Sequence, residues 1–103
     1  SPCPGPEHCA SSKWVVADSS AALKQLSERI EATPRTEIIE QRANYLHATY
    51  SSRIFGFVDD VELSATDAVT LEARSISRLG ESDLGVNAQR LESLGSTIET
   101  PEA

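Results

Sequence analysis

No apolar run in this chain approaches the ~18 residues needed to cross a bilayer, so no membrane span is expected within it. Positive charge is scarce: nine Lys and Arg face sixteen Asp and Glu, for a net charge of −7. That balance repels a polyanion such as DNA unless arginines gather on one face, so no nucleic-acid partner is expected. Histidine and cysteine occur only twice each. Nothing matches the haem spacing C-x-x-C-H or the EF-hand loop. Neither a G-x-S-x-G elbow nor a Gly-rich phosphate loop is present. No cofactor is expected. Methionine is absent, the first position included, as in processed chains; a signal peptide or membrane anchor removed upstream is within expectation.

What is present suits one small globular domain. The 103 residues are enough for one core, with 39% apolar and 24% charged residues. Cys3 and Cys9 lie in SPCPGPEHCASS among three prolines and a glycine. Two cysteines so close in a stiff segment suit a local disulfide, which favours an oxidising compartment. A metal site of Cys3, His8 and Cys9 would have only three ligands and no second cluster, so no metal is expected.

Residues 1–17 read as an irregular arm whose Trp14, Val15 and Val16 dock on the core. A domain over 18–99 follows, then a frayed tail at 100–103. Asp18, Ser19 and Ser20 offer N-caps to a helix with Leu23, Leu26 and Ile30 on one stripe. Thr33-Pro34 stops it. Four strand-like runs come next, at 36–41, 45–53, 57–65 and 69–77, joined by links too short for parallel crossovers. A second helix is expected from Asn87 as its N-cap, with Val86 meeting Leu91 and with Leu91, Leu94 and Ile98 on its apolar side. Gly95 weakens that helix by about 1 kcal/mol relative to alanine. The expected fold is α+β: a two-layer sandwich of a four-stranded antiparallel meander with the N- and C-terminal helices on one face.

Parity orients the strands. Leu46, Ala48 and Tyr50 face inward and His47 outward. A three-residue turn at 66–68 sets Leu63 opposite Leu71 and Val61 opposite Ala73, whereas a two-residue turn sets apolar against polar. The preferred register places Asp60 opposite Arg74, Asp59 opposite Ser75 and Glu62 opposite Glu72.

The segment RSISRLGESDLGVNAQR at 74–90 is the candidate site. It holds three arginines, two acids, two glycines and four serine or asparagine side chains. Arg53, Arg74, Arg78 and Arg90, with Ser82, Asp83 and Asn87, form an arginine group beside a helix start, a combination that binds anions. Asp59, Asp60, Glu62 and Asp83 match those arginines in number. Internal pairing is therefore the expected state, with a small anion as the alternative partner. A hydrolase or lyase using Asp59 or Asp60 as general base and Arg74 or Arg78 as oxyanion stabiliser is the enzymatic alternative.

The runs FGFVDDVE at 55–62 and RSISRLGESDLGVN at 74–87, with CASS at 9–12, resemble the bacterial and plastid domain-of-unknown-function family 1499. The resemblance spans nearly the whole chain. It implies a protein that is often exported or membrane-tethered and often carries N-terminal cysteines. It brings no established activity. The basic run that often follows the family's asparagine is reduced here to Arg90 after Ala88 and Gln89, which weakens an anion site. The expectation is a non-enzymatic binding or protein-interaction module of the periplasm or cell envelope. Its partner would be another envelope protein or a small anion.

Overall fold

The computed structural model describes residues 3, 9–52, 57–78 and 85–98. Five strands and two helices follow in the order β1 (Cys9–Val15), α1 (Ser19–Glu31), β2 (Thr36–Arg42), β3 (Tyr45–Ser51), β4 (Val58–Asp67), β5 (Thr70–Ser77) and α2 (Val86–Gly95). All pairs are antiparallel, and the spatial order is β1-β5-β4-β3-β2. The expected meander is therefore β2 to β5, and a fifth strand extends it. Residues 9–15 of the expected arm form that strand, pairing with β5 along its length. Its core-facing residues are Ala10, Ser12 and Trp14, opposite Ser75, Ala73 and Leu71. One large apolar side chain among small ones gives little strand signal, so only a partner edge makes it a strand. The links at 54–56 and the tail at 100–103 lie outside the described residues.

Helix α1 begins as its sequence dictates. Asp18 is the N-cap and its carboxylate accepts the Ala21 N–H at 3.2 Å. Leu23, Leu26 and Ile30 are buried against the sheet. Past the helix end, the Thr36 hydroxyl donates to the Ile30 carbonyl at 2.6 Å and anchors the entry to β2. The inner sheet face supplies Leu46, Ala48, Val61, Leu63, Leu71 and Ala73, and α2 adds Leu91 and Leu94, all in one core with Leu26 and Ile30. Both helices thus cover the same face, and among the described residues no helix covers the other. Each fully buried leucine contributes roughly 1.5–3 kcal/mol.

The β4–β5 register differs from expectation. Leu63 lies opposite Ala73, Val61 opposite Ser75, Glu62 opposite Arg74 and Asp60 opposite Ile76. The turn is the two-residue Ala68-Val69, which alone would set apolar side chains against polar ones. A register shift between Ala65 and Asp67 inserts one residue and restores parity. The expected Asp60–Arg74 and Glu62–Glu72 pairs are therefore replaced, and Val69 sits exposed in the turn. Phe57, the first residue of the run expected as a strand over 57–65, precedes β4 and is exposed.

Helix α2 also starts differently. Its N-cap is Gly85, at φ 82°, a left-handed conformation that glycine adopts without strain. Asn87 lies inside the helix and is fully buried, and Val86 is exposed rather than stapled to Leu91.

Candidate functional site

Strand periodicity splits the candidate segment between two faces. Along β5, Arg74 and Ile76 point outward while Ser75 and Ser77 point toward the helices, because successive side chains alternate. The Asp59-Asp60 pair on β4 is split in the same way. One motif therefore builds two polar networks, back to back across the sheet.

On the open face, Glu62 lies beside Arg74 and accepts from its Nη2, and the Tyr45 hydroxyl donates to the second Glu62 oxygen at 2.6 Å. Asp60 accepts from Arg78 through Nε at 2.7 Å and Nη2 at 3.0 Å, a two-pronged fork. The same carboxylate lies 2.7 Å from His47 Nε2. These contacts perturb the titrations. The Arg78 hydrogen bonds hold the Asp60 carboxyl below its ordinary value against partial burial, with help from His47. Burial pushes Glu62 up, but the Tyr45 and Arg74 contacts together outweigh it and its pKa falls. Tyr45 is pushed up to about 12 by burial and by its bond to Glu62.

On the helix-covered face, Asn87 is the hub. Its Oδ1 accepts from Ser75 Oγ at 2.6 Å and from Arg90 Nη1 at 3.0 Å, and its Nδ2 donates to Ser77 Oγ at 3.0 Å. Arg90 Nη1 also reaches Ser75 Oγ at 3.1 Å and Asp59 Oδ2 at 2.8 Å. The Arg90 guanidinium lies over the Tyr50 ring, 4.5 Å from its centre. Ser75 and Asn87 are fully buried, so their polar groups need these partners.

The structure thus brings Asn87 and Arg90 together with Asp59, and places Arg74 and Arg78 on the opposite face with Glu62 and Asp60. Arg53, Ser82 and Asp83 lie outside the described residues. Sequence reasoning left His47, Tyr45, Tyr50 and the Ser75–Ser77 pair out of the site. His47 and Tyr45 share the outward parity of Asp60 and Glu62, a signal already in the sequence. The Arg90–Tyr50 stacking joins β3 to α2 and has no local signal.

Two hollows flank these networks. One, of about 400 Å³, lies on the open face beside Lys13, Glu62, Glu72 and Arg74. The other, of about 380 Å³, lies between the helices beside Arg29, Tyr50 and Arg90. Neither has Asp59 or Asp60 in its walls. Among the described residues, no group of three His, Cys, Asp or Glu side chains is placed to hold a metal ion, and no helix is long and apolar enough to cross a membrane. Cys3 and Cys9 are joined as a disulfide, with Cα atoms 5.8 Å apart.

A family model described as a protein of unknown function (DUF1499) matches residues 3–98. No curated protein and no solved structure matches.

Proposed function

The chain belongs to the family described as protein of unknown function (DUF1499), and from that premise we propose that it is a non-enzymatic binding module working outside the cytoplasm. One observation carries the reading: the acids that would serve a reaction are already engaged. Asp59 is paired with Arg90, Asp60 with Arg78 and His47, and Glu62 with Arg74 and Tyr45. A general base works best with a pKa near the operating pH, whereas the Asp60 contacts push the other way. The arginines therefore serve the fold first. They hold β4, β5 and α2 in a fixed relation, and recognition uses whatever donors that frame leaves over. The Cys3–Cys9 disulfide supports an extracytoplasmic site of action, since such bonds persist where thiols are not kept reduced.

The ligand class this reading favours is a small anion. Titration with phosphate, sulfate and acetate at constant ionic strength, followed by amide NMR over the whole chain, is the test. Saturable shifts in one contiguous patch are expected. A spectrum unmoved by all three anions would remove the binding reading.

A further inference from the structure

A hollow lies between α1 and α2 near the C-terminal end of α1. The groove between them is walled by Arg29 and Thr33 on one side and by Gln89, Arg90 and Ser93 on the other. Tyr50 of β3 also lines it, and Val86 and Leu94 complete the walls. We propose that this groove is a binding site for a small ligand carrying a carboxylate or phosphate group. This rests on the reading of the protein as a binding module and gives it a place.

Four features carry the assignment. First, among the described residues the lining has two guanidinium groups and no carboxylate, in a chain whose net charge is −7. Second, Arg29 is uncommitted. Arg42, Arg74, Arg78 and Arg90 each have a carboxylate within 4.0 Å, while among the described residues Arg29 has none. Third, the Tyr50 hydroxyl has no hydrogen-bond partner among the described residues, although its ring is packed against the core. Burial raises its pKa, with Arg90 and Arg29 opposing, so at neutral pH it remains a hydroxyl that can donate. Fourth, Arg90 is pre-set. Its contacts to Asp59, Ser75 and Asn87 run through Nη1 and hold the group in place at the groove wall. A donor already fixed by the fold loses little conformational freedom on binding.

The anion site that composition suggested at the start of α2 is thus shifted. Arg74 and Arg78 are on the far side of the sheet, and among the described residues Arg90 is the one candidate of that group that borders the groove. Arg29 and Tyr50, distant in sequence, complete it. The groove's volume, about 380 Å³, lies in the range of small-molecule pockets.

The test is titration of the intact protein with sodium phosphate and, separately, sodium acetate at constant ionic strength, read by amide NMR. Saturable shifts centred on Tyr50, Gln89, Arg90 and Ser93 are expected, and the tighter of the two ions identifies the preferred head group. Arg29→Gln, on an exposed helix position, is expected to weaken binding about tenfold, and Tyr50→Phe several-fold. Lys13→Gln removes the same charge from the opposite sheet face and is expected to change affinity less than twofold. Saturable binding elsewhere, indifferent to Arg29→Gln, would overturn the groove while leaving the binding-module reading standing. Equal weakening by Arg29→Gln and Lys13→Gln would reduce the effect to net charge and overturn the groove as well. No saturable shift with either ion overturns the groove, and a spectrum equally unmoved by sulfate removes the binding-module reading with it.

Discussion

Asn87→Ser separates two accounts of the start of α2. An asparagine N-cap is exchanged for serine at almost no cost, because both side chains cap comparably well. A buried hub is different. Asn87 is fully buried and makes hydrogen bonds to Ser75, Ser77 and Arg90. Serine is too short to span these partners. The buried Ser75 hydroxyl then loses its acceptor, at roughly 1–3 kcal/mol for a stranded polar group. Arg90 keeps Asp59 and Ser75, and Ser77 is exposed enough to recover water, so these two add little. A small void adds to the cost, and the intrinsic helix propensities of Asn and Ser nearly cancel. The sum is about 2–3 kcal/mol, or about 10–20 °C in Tm for a domain of this size. Native stabilities of about 5–15 kcal/mol leave the variant folded and measurable. Thermal melting by circular dichroism and urea unfolding are the assays. A Tm within about 2 °C of the parent, the change a capping exchange would give, would refute the buried-hub account and return Asn87 to the role of cap.

Gly95→Ala should lose stability, although helix propensity alone favours it by about 1 kcal/mol. A Cβ there would lie 2.8 Å from Cε2 and Nε1 of Trp14, and overpacking of that kind costs about 1–3 kcal/mol. The chain's only tryptophan reports the shift by fluorescence, and in a Trp14→Leu background the same change should stabilise. Asp60 and Glu62 have folded pKa values below the ordinary 3.8 and 4.5, so the unfolded chain binds more protons in acid and stability rises with pH there. Their contribution is complete above those ordinary values and is lost as pH falls through the lower folded ones. Urea midpoints between about pH 5 and 3 should therefore fall less steeply for Glu62→Gln than for the parent; superimposable slopes would contradict the assignment. The denatured, unreduced protein should show no titratable thiol. Cys3→Ser with Cys9→Ser should cost about 2 kcal/mol in the chain-entropy account, given the sequence separation of 6.

Much of this was legible in advance, for local reasons. Asp18 caps α1 because a short acid before an apolar stripe has one natural use, and Leu23, Leu26 and Ile30 face the sheet because their spacing permits one buried side. Inward Leu46 and outward His47 follow from alternation. The family string at 74–87 was readable as a unit, and the expected strand through Ser77 already separates Arg74 from Ser75 by alternation; which carboxylate meets each arginine was not readable, because that depends on the register. The sequence favoured a three-residue turn after β4 because a bulge leaves no mark of its own. A bulge plus the shorter turn satisfies the same parity, and packing selects between them.

By itself, the amino-acid sequence determined the fold class, both helices, the four-strand meander and the disulfide, since each rests on contacts between residues near one another or on a simple period. The tertiary structure alone decided that β1 is a strand, that Arg74 meets Glu62 and Arg78 meets Asp60, that Asn87 turns inward, and that Arg29 comes beside Tyr50. These choices join segments far apart in the chain. Their local alternatives are nearly equal in free energy, so the balance is set by which arrangement buries the most apolar surface while leaving the fewest polar groups unpaired.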